Sequence, residues 1–341
     1  MEDHPFDMEA LADELHELVP GFSGLHAIEK FHTGQSNPTY RVEADSGKYV
    51  LRAKPPGTLL KSAHQVDREY RVMKALAGNN IPVPQVYGLS GEDSAIGRMY
   101  FVMELVEGRI FWDPALPDVS KQDRAAIYDG MNDVLARLHS VDPDAAGLAD
   151  FGRSGNYFAR QIRRWSEQYI ASKTEELPDM DRLMDWLWEN LPDDDGIVSV
   201  VHGDYRLDNM IFSAHGEEVR ALIDWELSTL GHPLADLSYQ CMQWRLPHKS
   251  GFRGLGGLDR AELGIPSEAD YVALYSERSG IPVDNWNFCL SFSFFRLAAI
   301  LQGVYKRGLD GNASNPEGAH EIGKAVPQLA SMANDIMSGK G

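Results

Sequence analysis

The chain has 341 residues, 43% of them hydrophobic and 24% charged, and 51 acidic against 32 basic side chains leave a net charge of −19. The length suits two domains or lobes, and the acidic surplus argues against a nucleic-acid partner, which needs concentrated basic charge; solubility accounts for it more simply than steering of a cationic substrate. Cys241 and Cys289 give no disulfide framework, no apolar run approaches the roughly 20 residues of a membrane helix, and the acidic N-terminus lacks a signal-peptide pattern, so a cytoplasmic protein with no membrane partner is expected.

In chain order, Met8, Leu11, Leu15 and Leu18 recur at helical spacing and predict a helix over 7–18, closed by Pro20-Gly21. Short strands follow over 27–31, 40–43 and 49–53, with the small polar turn Thr33-Gly34-Gln35-Ser36-Asn37 after the first and Asp45-Ser46-Gly47 before the third. Beyond Pro55-Pro56-Gly57, the stripe Val66, Tyr70, Met73 and Ala77 predicts a helix over 62–77 that ends at Gly78 and carries Glu69 on the edge of its apolar face. Ile81-Pro82-Val83-Pro84 starts a loop, and 99–108 reads as a strand running into a connector. Helices are expected over 121–140, closed by His139, over 156–170, rich in arginine and aromatics, and over 181–190. Residues 241–266 look irregular, and helices resume over 267–279, 286–308 and 316–337.

The stretch 198–226 organises the rest. One apolar run stops at His202-Gly203-Asp204, with Asn209 five positions after Asp204, and a second, 219–223, stops at Asp224. Phosphoryl transfer to an alcohol needs a carboxylate at the hydroxyl, and an amide plus a second carboxylate on the metal that bridges the nucleotide phosphates. Mg²⁺ is a hard cation served by oxygen ligands of this kind. The protein-kinase pattern H-R-D-x-x-x-x-N keeps the same five-residue step; here Gly203 replaces its arginine, and Asp224-Trp225-Glu226 stands where a kinase has D-F-G.

His-Gly-Asp-x-x-x-x-Asn followed by Ile-Asp-Trp-Glu resembles the aminoglycoside phosphotransferase family, which has the protein-kinase-like fold. The resemblance implies an α+β, two-lobed chain: a nucleotide-binding N-terminal lobe over 1–105, antiparallel sheet plus helix, and a mostly helical catalytic and substrate-binding lobe over 106–341. It implies ATP and Mg²⁺ as cofactors and a hydroxylated small molecule as partner. Asp204 would be the base or hydroxyl-orienting residue, with Asn209 and Asp224 on Mg²⁺. Gly34, Gln35, Ser36 and Asn37 would cover the phosphates through close backbone approach. Arg52 falls in the slot of the phosphate-gripping lysine, with Lys54 in reserve two positions on, and Glu69 would pair with that base. Met103, Glu104, Leu105 and Val106 would form the hinge that meets adenine through backbone atoms. His202, Arg206, Asp208, Asp236 and His139 read as structural, and Glu226 could reach metal, substrate or a structural hydrogen bond.

Longer matches narrow the resemblance. Gly-Gln-Ser-Asn-Pro-Thr-Tyr, Tyr-Val-Leu-Arg-x-Lys-Pro-Pro-Gly and Asp-Trp-Glu-Leu-Ser-Thr-Leu-Gly-His-Pro-Leu-Ala-Asp look like the kinase domains fused to acyl-CoA dehydrogenases. That branch is associated with phosphorylating hydroxy acids or hydroxyacyl-CoA, and Arg160, Arg163, Arg245 and Arg296 could serve such an anionic substrate. An aminoglycoside or amino-alcohol kinase, which would want an acidic pocket, is the alternative. A non-catalytic nucleotide-binding scaffold is a third reading, whose signature would be loss of Asp204, Asn209 or Asp224; all three are present.

Overall fold

The computed structural model describes residues 6–31, 37–57, 64–153, 155–249, 253–311 and 316–340. The first elements are α1 (Met8–Leu18), β1 (Leu25–Lys30), β2 (Thr39–Ala44), β3 (Gly47–Ala53), α2 (Val66–Ala77), β4 (Val86–Leu89) and β5 (Tyr100–Glu104). Then come α3 (Lys121–His139), α4 (Tyr157–Ser172), α5 (Pro178–Glu189), β6 (Ser199–Val201), β7 (Met210–Phe212), β8 (Val219–Leu222) and β9 (Thr229–Gly231). The chain finishes with α6 (Leu234–Arg245), the short α7 (Arg260–Leu263), α8 (Glu268–Ser279), α9 (Trp286–Leu309), α10 (Pro316–Gly323) and α11 (Ala325–Met337). Contacts group these into two compact units, one of Met1–Ile110, Asp144–Phe151 and Asn209–Ser228, the other of Phe111–Pro143, Gly152–Asp208 and Thr229–Gly341. This differs from a single cut after residue 105: Asn209 and Asp224 group with the first unit and Asp204 with the second.

The first unit is built on a five-stranded antiparallel sheet in the order β1-β2-β3-β5-β4. Side chains alternate across a strand, so Tyr49, Leu51 and Ala53 of β3 share one face and pack with Leu11, Leu15 and Val102. Arg52 has the opposite parity and pairs across the sheet with Thr39 and Phe101. Phe101 meets Tyr70 of α2, with ring centroids 6.2 Å apart, so α2 covers the face that carries Arg52. Within α2, Val72, Met73 and Leu76 are buried, and so is Glu69. The β7–β8 hairpin pairs Met210 with Leu222 and adds a bond from Ile223 N–H to the Asn209 carbonyl at 2.9 Å. Asn209 and Asp224 therefore sit at the same end of the hairpin.

The second unit is mostly helical, with one small strand pair, β6–β9, in which Val201 faces Thr229. Ser120 caps α3 by accepting from Asp123 N–H, Pro178 opens α5 at a position where its missing N–H costs nothing, and α8 is capped by Ser267. Helix α9 is the core helix, burying Phe288, Phe292, Phe294 and Phe295. By length and composition it could cross a membrane, contrary to the expectation of no such run; 72% of its most apolar window is buried inside the protein, the mark of a core helix.

Four elements depart from the sequence reading. β4 lies where a loop was expected, α6 continues to Arg245 into the segment read as irregular, and β9 precedes α6 where no strand was expected. The helix expected over 316–337 is two helices, α10 and α11. A Cβ at Gly323 would lie 2.5 Å from the Tyr305 ring, so a glycine at that break lets the chain pass close to α9.

Candidate active site

In the first unit one guanidinium holds three carboxylates. Arg52 Nη2 donates to Asp224 Oδ1 at 2.8 Å and lies 3.6 Å from Glu226 Oε2. Its Nε is 2.8 Å from Glu69 Oε2, an ion pair in distance but without the alignment of a hydrogen bond. Period-two alternation puts Arg52 on this face, and helical spacing puts Glu69 beside it. Lys54, just past the strand, pairs outward with Glu92 at 2.5 Å. Arg52 is thus the base on α2's side of the sheet.

The charges are not equally comfortable. Glu69 is 2% exposed. Burial pushes its carboxyl up to about 7, although Arg52 works in the other direction. Burial alone would weaken the Arg52 charge, but Glu69, Asp224 and Glu226 outweigh it and its pKa stands above the ordinary value. Asn37, also buried, donates to Glu69 Oε1 at 2.8 Å, and its Oδ1 is 2.9 Å from His64 Nδ1. Asn37 therefore braces Glu69 with its side chain. Gly34, Gln35 and Ser36 lie outside the described residues. The Glu69–Arg52 pair was expected, but the His64-Asn37-Glu69 links had no sequence signal, because they join separate segments through side-chain geometry alone.

Asp224 stands in the left-handed region at φ 67°, ψ 61°, two residues past the end of β8. Trp225 anchors the following turn by donating from Nε1 to the Leu222 carbonyl at 2.9 Å. The Asp224 side chain stays 37% exposed. A Mg²⁺ ion takes hard oxygen ligands, and Asn209, Asp224 and Glu226 offer only oxygens. No group of three or more His, Cys, Asp or Glu able to hold a metal occurs among the described residues.

The expected hinge starts inside β5. Met103 pairs with Val50 and Val86, and Glu104 N–H donates to the Gln85 carbonyl at 2.8 Å. Leu105 and Val106 follow the strand, half-buried, and among the described residues their backbone groups bond no other backbone group. An adenine edge could use that open donor and acceptor.

In the second unit the loop after β6 is gripped from both sides of Gly203. Asp236, in the first turn of α6 and fully buried, accepts from His202 N–H at 2.6 Å and Gly203 N–H at 2.8 Å. Arg296 of α9 donates to the Gly203 carbonyl at 2.6 Å and lies over the Tyr239 and Trp165 rings. Gly203 itself has φ 85°, a conformation that suits glycine. Burial would raise the Asp236 pKa, but His139, His202 and the loop amides reverse this and hold it below the ordinary range. His139 Nε2 is 3.3 Å from Asp236, and its Nδ1 is 2.6 Å from the Tyr275 hydroxyl. His202, Asp236 and His139 thus support the loop, as expected. Arg296, expected to serve an anionic substrate, braces this loop instead, and among the described residues no carboxylate lies within ion-pair distance of it.

Asp204 follows in the same loop, half-buried, its N–H 3.2 Å from His202 Nδ1. Tyr239 hydrogen-bonds the Asp204 carboxylate, and burial with that negative charge raises the Tyr239 pKa. Sequence reasoning missed Tyr239; its spacing three after Asp236, one helical turn away, was the available signal. Arg206 forms a two-point pair with Asp208. Tyr239, Arg206 and Asp208 line a cavity of about 570 Å³ with Met242, Leu246, Leu297, Leu301, Trp112 and Arg253. Of the arginines proposed for an anionic substrate, Arg245 is already held by both oxygens of Glu268 and is excluded from that role. Arg253 is exposed, and among the described residues no carboxylate lies within ion-pair distance of it.

The sequence profile of the phosphotransferase enzyme family (APH) matches residues 27–271, and the chain belongs to that family. It is 49% identical to a candidate aminoglycoside phosphotransferase from Ralstonia eutropha, whose crystal structure superposes with a TM-score of 0.90 over 98% of this chain and 99% of that one. Spectinomycin phosphotransferase APH(9)-Ia, solved with ADP and spectinomycin, shares the fold at a TM-score of 0.63, 15% identity and coverage of 97% and 99%. Acyl-CoA dehydrogenase family member 10 of Mus musculus is 46% identical over 96% of this chain, but the match spans only 31% of the mouse protein. The fold is the α+β, kinase-like fold of these enzymes. The family is one of phosphotransferase enzymes.

Proposed function

We propose that this enzyme transfers the γ-phosphoryl group of ATP, with Mg²⁺, to a hydroxyl of an amphiphilic anion, a hydroxy acid or its coenzyme A thioester. The observation that carries this reading is the cavity beside the Asp204 loop. Met242, Leu246, Leu297 and Leu301 give it an apolar wall, and Arg253 gives it a cation that meets no carboxylate among the described residues. A hydroxylated aliphatic chain ending in negative charge matches both features. An aminoglycoside would need free acids, and the one acidic residue lining the cavity, Asp208, is neutralised by Arg206. The relatives joined to acyl-CoA dehydrogenases favour the same substrate class.

Each residue has a defined task under this reading. Arg52 grips nucleotide phosphate oxygens, which a guanidinium can do at two points, and Glu69 orients it. Leu105 and Val106 offer backbone atoms to adenine. Asn209 and Asp224 would hold Mg²⁺, which supplies charge neutralisation at the phosphates. Asp204, held by Tyr239, orients the acceptor hydroxyl and takes its proton as the oxygen bonds to phosphorus. The nucleotide's β-phosphate leaves with the electron pair, as ADP.

The test is γ-labelled ATP and Mg²⁺ with a panel of hydroxy acids, hydroxyacyl-CoA thioesters and aminoglycosides, run beside Asp204→Asn. Label is expected on a hydroxy acid or thioester, with transfer at least 100-fold slower in the variant. Label on aminoglycosides alone would establish the amino-alcohol alternative. No transfer to any member despite demonstrated nucleotide binding would point to a scaffold.

A further inference from the structure

The second unit carries a concentration of positive charge that the roles above leave unused. Arg160, Arg163 and Arg164 lie on α4 at spacings of three and four, so they share one face of the helix. With Arg153 and the β9 residues Thr229 and Leu230 they line a cleft of about 430 Å³. Glu167 is the one carboxylate in its lining, against four arginines. Arg153 and Arg160 also border a neighbouring cavity lined by Asp193, Asp194 and Asp195, so the unbalanced positive charge of the cleft lies at Arg163 and Arg164.

Three of the four arginines have no carboxylate partner in the described part of the chain, while Arg160 interacts electrostatically with Asp194. Among the described residues no acidic side chain lies within ion-pair distance of Arg153, Arg163 or Arg164. Arg164 lies over the Trp165 ring at 5.1 Å, and Arg160 donates to the Arg153 carbonyl. That bond pins two of the guanidinium-bearing residues together. Trp165 is buried, so the platform beneath Arg164 is rigid. Like charges at this spacing repel, and a bound anion relieves the repulsion. Guanidinium groups suit phosphate oxygens because their forked donors bind at two points. The cleft also adjoins the catalytic segment: Thr229 pairs with Val201, the residue before His202.

We propose that this arginine cleft binds a diphosphate or a comparable phosphate-bearing group. Two sources supply that chemistry: a phosphorylated tail of the acceptor, which rests on the function proposed above, or a free inorganic anion. The site uses none of the residues assigned to the nucleotide and does not need turnover to be seen.

The experiment is titration calorimetry with inorganic pyrophosphate on the full chain, comparing wild type with Arg163→Gln/Arg164→Gln. Both positions are exposed, so the variant should fold; its melting temperature and its ADP affinity are measured beside it. Pyrophosphate affinity reduced at least tenfold, with ADP affinity unchanged, is the expected result. Unchanged pyrophosphate affinity, equal weakening of pyrophosphate and ADP, or no pyrophosphate binding to wild type would each overturn the proposal. Once an acceptor is known, a KM raised only for acceptors that carry phosphate assigns the cleft to the acceptor tail. An unchanged KM, with pyrophosphate binding lost, assigns it to a free anion. Failure of the kinase reading would remove the first source and leave the binding result standing.

Discussion

At the residue scale, the cost of placing Glu69 among Arg52, Asp224 and Glu226 sets a pH dependence. Its pKa is about 7 in the folded chain against an ordinary value of 4.5. A carboxyl raised in this way favours the folded state most below pH ~4.5, where it is protonated in both states, and that advantage is lost as pH rises to about 7. Glu69→Gln removes the titration. Urea unfolding of the nucleotide-free protein at pH 4.5 and pH 7.5 should show wild type losing about 3 kcal/mol relative to the variant between the two. An identical pH profile would refute the buried-carboxylate account. Asp236 offers the opposite case, a buried carboxylate stabilised by its partners. Asp236→Ala would orphan the N–H groups of His202 and Gly203 and leave His139 without its acid. A loss of about 3–5 kcal/mol is expected in denaturant unfolding; a loss below ~1 kcal/mol would mean the loop is held by other bonds. The role of Asp236 was legible from its place shortly after the Asp-Trp-Glu motif, whereas the bracing role of Asn37 was not.

At the element scale, the short strand β9 shows how close packing fixes the catalytic loop. Gly231 ends β9, and a Cβ there would lie 2.4 Å from the Tyr157 ring of α4. Gly231→Ala should cost about 1–3 kcal/mol by overpacking, read as a lowered urea midpoint with unchanged slope. A neutral result would show that Tyr157 moves aside freely. The long elements were legible in the sequence because their periodicity repeats over several turns: α1, α3, α8 and α9 fall close to where apolar spacing puts them. β6, β7 and β9 have three residues each. That is too short to display alternation, so their pairing was decided by partners distant in sequence. β4 was hidden by Pro82 and Pro84, which mark the preceding loop and mask the strand that follows.

At the scale of the whole molecule, composition describes an average and the site depends on local departures from it. The acidic surplus gave no hint of the arginine cleft on α4, or of a cavity in which Arg206 cancels the acid and Arg253 remains. The sequence by itself determined the family and the kinase-like fold and marked the candidate catalytic segment, because motif spacing along β6–β8 is a local property that survives without coordinates. It also selected Arg52 and Glu69, since strand and helix periods assign faces. Only the tertiary structure decided which charges are paired. Arg245 and Arg206 meet acids, Arg296 meets a carbonyl, Asn37 meets Glu69, and Arg253 and Arg163 meet no carboxylate among the described residues. Ion pairing and burial depend on distances of a few ångströms between segments far apart in the chain, and neither period nor composition encodes those distances.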